Sequence, residues 1–408
     1  MPVLLTGKMP VLLTGKMPVL LMGKMPVGLM GKMPMPRQDA RATPGCPRHL
    51  LKIRRDGIAD CCRIDKLGAR VGQGMRVPAT PRPGKAERKS LMYRPEIKVV
   101  DCTIRDGGLV NNSQFTLETV RAVYKAACGA GVDYVELGYR NSREFFSSDK
   151  YGAWRFCDDS DLRKVTDGID PGDTKVAIMM DSHKAFATDL LPADESIVKL
   201  VRVATYVKDI DKAIHICQVA AEKGYDTTVN IMAISREGSP FLDEALDQIE
   251  SETKALAVYI VDSYGALYSE EVHFLVEKYQ MHVKTKEVGG HFHNNQQLAF
   301  ANTIESIIKG ANFVDGTLMG LGRGSGNCPT ELLIGFLKNP KFKIRPLLEG
   351  IQNAILPLQQ KMTWGYHLPY MIMGLINQHP REAIQWMEGD RKDDILEFWR
   401  QMTEAYGE

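Results

Sequence analysis

The run Ile97-Lys98-Val99-Val100-Asp101-Cys102-Thr103-Ile104-Arg105-Asp106-Gly107-Gly108 decides between two architectures. Its first half is a short apolar stretch of the kind that forms a strand covered on both faces. An open dinucleotide-binding sheet would place G-x-G-x-x-G directly after such a strand. Here Arg105-Asp106-Gly107-Gly108 follows instead, setting two charged side chains at a strand's carboxyl end. That is where a barrel gathers its chemistry.

Outward from this run the chain alternates apolar stretches with amphipathic ones. The pattern predicts strands at 97–103, 134–139, 175–180, 200–206, 227–234, 257–262, 286–290 and 313–319. Helices are expected between and after them at 116–129, 160–168, 184–190, 209–224, 240–250, 269–279, 297–309 and 329–337. Thr116, Ser269 with Glu270 and Glu271, and Pro329 supply helix-start signals. Eight strand-then-helix units in about 245 residues match an α/β fold of the TIM-barrel, (β/α)8 type, for which ~250 residues is typical. The barrel domain is expected over 92–340. A C-terminal helical extension is expected over 341–408, with apolar helical spacing at 347–362, 370–378 and 393–406.

The first 91 residues are different. An octad, MPVLLTGK and close variants, repeats through residue 34, and an Arg- and Pro-rich stretch without apolar periodicity follows. Pro and Gly in every octad break any helix, and the lysines interrupt the apolar core that a signal peptide needs. The segment is expected to be a disordered tail, 1–91, of the sort translated from upstream of a true start, with Met92 as a natural beginning. It carries 18 basic and 5 acidic side chains, which leaves 34 and 45 for the remainder. That acidic remainder argues against nucleic acid as a partner. No apolar run of ~18 residues is present, so no membrane span is expected. Eight unpatterned cysteines with no CxxC pair suggest reduced thiols and a cytoplasmic setting.

The polar residues of the barrel segment fall at predicted strand ends. Strand one brings Arg105 and Asp106, and strand two Glu136, Tyr139 and Arg140. Strand four brings Thr205 and Tyr206, strand six Asp262 and Ser263, and strand seven His291, His293 and Asn295. The glycine-rich run 320–327, which contains Arg323 and ends at Asn327, follows strand eight. Residues two apart on a strand share a face, so His291 and His293 can hold one ion. One carboxylate and two imidazoles form a set open to water or substrate, suited to Mn, Mg, Co or Zn. Such an ion polarises a bound carbonyl, and a neighbouring arginine adds fixed charge where an enolate develops.

At these residues the sequence resembles the HMG-CoA lyase-like, or DRE-TIM metallolyase, superfamily, whose domain is of the pyruvate carboxyltransferase type. The resemblance rests on Thr103-Ile104-Arg105-Asp106-Gly107, Tyr134-Val135-Glu136-Leu137, Val201-Arg202-Val203-Ala204-Thr205, Val261-Asp262-Ser263, 290–295 and 320–327. Within the superfamily the 4-hydroxy-2-oxovalerate aldolases look most similar, and Gly365-Tyr366-His367-Leu368-Pro369-Tyr370 resembles a segment of theirs. The resemblance implies a divalent metal, usually Mn or Mg, on Asp106, His291 and His293, with Asn327 as an extra ligand. It implies that Arg105 stabilises the enolate and Tyr370 positions substrate, with Glu136, Thr205, Asn295 and Arg323 as substrate contacts. The aldolases carry a general-base histidine two residues beyond the motif's Asp-Gly pair, where this chain has Leu109. Tyr139, His367 and Tyr370, or metal-bound water, are the candidate bases.

The expected activity is cleavage of a carbon–carbon bond in a 2-oxo acid, releasing an aldehyde. A Claisen-type transfer from an acyl-CoA, of the isopropylmalate synthase kind, and a non-catalytic metal-binding scaffold are the alternatives. A homodimer is expected, with a partner dehydrogenase docking as in the related aldolases. A chain shortened to begin at Met92 is expected to fold and retain activity. Loss of either, measured by circular dichroism and turnover, would make the tail an integral part.

Overall fold

The computed structural model describes residues 93–407, so the whole expected tail, 1–91, lies outside the described residues. Eight parallel strands close into a barrel in chain order. They are β1 (Lys98–Asp101), β2 (Tyr134–Tyr139), β3 (Lys175–Asp181), β4 (Val198–Thr205), β5 (Asp226–Ile231), β6 (Ala257–Asp262), β7 (Glu287–Phe292) and β8 (Phe313–Gly316). The seam is β1 against β8, in register from Lys98 opposite Phe313 to Asp101 opposite Gly316. The open-sheet alternative is thereby excluded.

Helices cover the outside at Leu117–Ala130, Asp159–Thr166, Ile210–Glu222, Ser239–Glu252, Ser269–His282, Ala299–Lys309 and Thr330–Leu337. The Thr116 hydroxyl caps the first of these by accepting from Thr119 N–H at 3.3 Å. The helix expected at 184–190 does not form; only a single 3-10 turn, Ala187–Asp189, is present. Its carbonyls are claimed from outside: Lys223 Nζ donates to Ala187 O at 3.1 Å and to Thr188 O at 3.4 Å.

β1 also stops earlier than expected. Asp101 Oδ1 accepts from Thr103 N–H at 3.1 Å, and Asp106 N–H donates to Cys102 O at 2.9 Å. These bonds wind Thr103–Gly107 into a short helix, so Arg105 and Asp106 sit on a turn of helix at the barrel mouth rather than on a loop. β7 runs farther than expected, through His291 and Phe292, and His293 makes a backbone bridge to Asn327.

In the extension, the single helix expected at 347–362 is broken into Ile344–Gly350, a π-helical turn at Ile351–Ile355, and Leu356–Gln359. Pro357 has no N–H to donate, so the hydrogen-bond ladder shifts. The helix Arg381–Glu388 was not expected. Ile395–Tyr406 starts where Asp394 accepts from Glu397 N–H at 3.3 Å. Among the described residues no helix is long and apolar enough to cross a membrane.

Two apolar layers hold the barrel. One lies between strands and helices; the other fills the interior with Val100, Tyr134, Leu200, Tyr259 and Phe313. The interior layer depends on a missing side chain. A Cβ on Gly289 of β7 would stand 2.5 Å from Cδ2 of the Tyr259 ring. Gly289→Ala is therefore expected to cost about 1–3 kcal/mol of stability by overpacking. A melting temperature equal to that of the parent would show that the interior is not packed this way.

Candidate metal centre and active-site cavity

Six buried side chains, from β2, β4, β7, β8 and the short helix after β1, form a closed ring. Arg105 Nη1 donates to Asp106 Oδ2 at 2.6 Å, and Arg105 Nε to Glu136 Oε2 at 2.7 Å. Arg202 Nη1 donates to the same Glu136 oxygen at 3.0 Å and Nη2 to Asp315 Oδ2 at 2.6 Å. His291 Nδ1 meets Asp315 Oδ2 at 2.9 Å, and His291 Nε2 returns to Asp106 Oδ2 at 3.4 Å. Each of the six is at most 5% exposed. Buried charges persist only when paired, and here Arg105 and Arg202 each lie between two carboxylates.

This ring orients the candidate ligands. With Nδ1–H turned to Asp315, the Nε2 lone pair of His291 faces Asp106, the arrangement in which a ligating histidine is held by a carboxylate behind it. Nε2 itself is buried without a hydrogen-bond partner, as is Oδ1 of Asn327. His293 Nε2 lies 4.0 Å from the same Asp106 oxygen. The donor atoms of Asp106, His291 and His293 all lie within 4.8 Å of one another. Ligands bound at about 2.1 Å to one ion stand roughly 3–3.5 Å apart, so only a small contraction is needed. The residues present therefore fit a divalent ion.

Electrostatics agree with this. Burial would raise the Asp106 carboxyl, but the Arg105 guanidinium beside it outweighs this and holds it well below the usual carboxylate range. Burial also opposes the charge on Asp315, yet Arg202 and His291 keep it at about 2. Burial pushes His293 down to about 3, so it is neutral and its lone pair is free for a metal. A second cluster, Cys102, His291 and Asp315, is equally compact but does not suit a cation. Arg202 Nη1 already lies 3.2 Å from Cys102 Sγ, and burial drives that thiol far above its ordinary value.

The glycine-rich run closes the site from above. Arg323 N–H donates to Asp106 Oδ1 at 3.3 Å. A Cβ on Gly322 would overlap Asn327 and stand 2.8 Å from Asp106 Oδ1, so only glycine lets the run come this close. Beside the centre opens a cavity of about 470 Å³, within the usual range for a small-molecule site.

Of the residues singled out from sequence, Arg105, Asp106, Tyr139, Tyr206, Ser263, His291, His293 and Arg323 line this cavity. Asn327 stands behind the centre, against Asp106 and His293. The others are placed elsewhere. Glu136 lies inside the ring, bridging Arg105 and Arg202, and does not reach the cavity wall. Thr205 Oγ1 is engaged by Ser182 at 3.0 Å and by two backbone carbonyls. Asn295 is buried and donates to Tyr370 O at 3.0 Å, fastening the extension to the barrel. Tyr370 packs its ring on Gly324, with His367 edge-on at 5.9 Å, and neither lines the cavity.

Sequence reasoning overlooked Arg202 and Asp315, although an arginine and an aspartate inside apolar strands mark a paired interior. It also missed His183, which lies just beyond β3, the one strand end before β5 that was not searched. His379, on the extension, also lines the cavity; its Nε2 is 3.1 Å from Arg323 Nη1. No periodicity announces it.

Residues 96–352 match the HMGL-like family. The chain is 34% identical over 321 residues to a 4-hydroxy-2-oxovalerate aldolase of Thermomicrobium roseum, covering 76% of this chain and 88% of the relative. A second such aldolase, from Pelotomaculum thermopropionicum, is also 34% identical, covering 66% of this chain and 78% of the relative. Among solved structures, the N-terminal domain of a candidate aldolase from Bacteroides vulgatus superposes with a TM-score of 0.65 at 31% identity, covering 74% of this chain and all of that one. The HMG-CoA lyase of Brucella melitensis superposes with a TM-score of 0.53 at 16% identity over 65% of this chain and 99% of that one, a likeness of fold alone.

Arg202 tests the ring. Replacing it by leucine strands Glu136 and Asp315 as buried charges and is expected to cost about 3–5 kcal/mol in urea unfolding. A loss under about 1 kcal/mol, the level of an exposed pair, would mean that the ring contributes little.

Proposed function

Because the chain belongs to the HMGL-like family, we propose that it is a divalent-metal-dependent aldolase that cleaves or forms the C3–C4 bond of a 4-hydroxy-2-oxo acid. The observation that carries this reading is the placement of Asp106, His291 and His293 beside Arg105 on one cavity wall. Asp106, His291 and His293, with Asn327 in support, would hold the ion, Mn or Mg by preference, and when bound it supplies Lewis-acid charge to the oxygens of the 2-oxo acid.

The remaining work belongs to side chains. Arg105 has its Nε and Nη1 tied to Glu136 and Asp106, so its plane is fixed before substrate arrives. Preorganised charge of this kind stabilises the enolate oxygen without reorganisation. In the condensation direction the C3 proton leaves, the new bond forms at the aldehyde carbon, and the aldehyde oxygen gains a proton. Tyr139 lines the cavity, and burial raises its phenol above the ordinary value, so it enters protonated as donor to that oxygen. Leu109, also on the wall, moves no proton. His183 is the imidazole we assign to the C3 proton. Its Nε2 is 3.1 Å from Asp209 Oδ2, off the line of a hydrogen bond, so Asp209 stands beside it as a charge partner.

The reading is tested by exchange of the pyruvate methyl protons in deuterium oxide and by retro-aldol turnover of 4-hydroxy-2-oxo acids. Both are expected to require added Mn2+ or Mg2+ and to vanish in Asp106→Asn and His291→Ala. His183→Gln is expected to slow exchange about 100-fold or more, and Tyr139→Phe to slow aldol turnover more than exchange. Undiminished activity after exhaustive chelation would sink the metal-dependent reading. Thiol release from acetyl-CoA that depends on a 2-oxo acid would point to acyl transfer instead.

A further inference from the structure

Four arginines are buried among the described residues. Arg105 pairs with Asp106 and Glu136, Arg140 with Asp159, and Arg202 with Glu136 and Asp315. Arg155 has no counter-charge among the described residues. It ends the single helical turn Ala153–Arg155 after β2 and is 5% exposed. Its Nε is fully buried without a hydrogen-bond partner. The guanidinium is held by aromatic faces alone: its carbon stands 4.7 Å from the ring centre of Tyr139, 5.0 Å from Phe146 and 5.1 Å from Tyr151. Cation–π attraction of this kind does not offset the cost of burying an unpaired ion. It does fix the plane of the fork, as recognition of a carboxylate or phosphate requires.

Arg155 lines the same cavity as the metal centre. Lys184 is on that wall too, its Nζ 5.8 Å from the same Phe146 ring and 3.2 Å from Asp181. The whole lining holds Arg105, Arg155, Lys184, Lys208, Arg323 and Arg381 against the carboxylates of Asp106 and Asp181. Asp106 is taken by Arg105 and Asp181 by Lys184, so the excess charge of the lining is positive.

We propose that Arg155, supported by Lys184, binds an anionic terminus, carboxylate or phosphate, on the aldehyde half of the substrate. The substrate class is then a 4-hydroxy-2-oxo acid with a second anionic group beyond C4. This assignment rests on the aldolase reading above. The carboxylate and keto oxygen of the 2-oxo acid belong at the Arg105 end, which leaves the aldehyde half for the Arg155 wall.

The test has two arms, both on the full chain with Mg2+ present. In the first, condensation of pyruvate is measured with propanal, 4-oxobutanoate and glyceraldehyde 3-phosphate. The kcat/KM for an anionic aldehyde is expected to exceed that for propanal by about tenfold or more, and the better of the two anions identifies the terminus. In Arg155→Gln that ratio is expected to collapse, with Arg155→Lys intermediate. An unchanged ratio, even with a lowered melting temperature, would make Arg155 a staple of its loop and overturn the proposal. In the second arm, succinate and inorganic phosphate are titrated calorimetrically into the parent protein and Arg155→Gln, which requires no turnover. Weaker binding of either anion in the variant supports the site, and equal binding overturns it. If pyruvate exchange is absent but anion affinity still depends on Arg155, the aldolase reading fails and the anion site stands.

Discussion

The closed ring Asp106–Arg105–Glu136–Arg202–Asp315–His291 is the constraint on which the rest of the site depends. An ion in a barrel interior is tolerated only if its partners are also there, and each of these has two. Arg202 reaches across from β4 to pair with β2 and β8, stacked 4.5 Å above Tyr259. Tyr259 in turn fits only because β7 has glycine at 289. The interior apolar layer and the charged layer above it are therefore one packing problem, and the orientation of His291 is its outcome. The ligand face needs no separate device to aim it.

Much of this was legible in sequence, for a physical reason. Barrel strands buried on both faces appear as apolar runs, and any charge at the end of such a run stands out. Arg105, Asp106, His291 and His293 were found in that way, and the structure gathers them within a few ångströms. Where the reading failed, the information was not local. Glu136 looked like a substrate contact because it is the one carboxylate of an apolar strand, β2, but only the fold shows that Arg105 and Arg202 hold it from both sides. At 184–190, where a helix was expected, the carbonyls of Ala187 and Thr188 are instead met by Lys223, which follows the helix Ile210–Glu222. Tyr370 and His367 were expected at the substrate; they instead pack among residues of the extension and on the glycine-rich run.

The two ends of the cavity are built on different principles. The metal end is made of strand ends and a short helix, whose positions the barrel dictates. The Arg155 end is made of the long connection after β2, braced by Phe146 against Tyr151 at 4.9 Å. Loops that follow barrel strands can change without disturbing closure. Chemistry fixed by strand ends beside a recognition wall carried on a loop is the division such a scaffold permits.

The ring also bears on synthesis at the ribosome. Its members come from β1, β2, β4, β7 and β8, and Arg202 and Asp315 alone are 113 residues apart in the chain. A nascent chain that has emerged only through β6 holds Asp106, Glu136, Arg105 and Arg202 but neither Asp315 nor His291. Compaction at that stage would bury Arg202 with Glu136 but without Asp315, one of its two carboxylate partners, which is costly. The polar layer thus disfavours premature collapse of a half-made barrel and ties commitment to the arrival of the last strand.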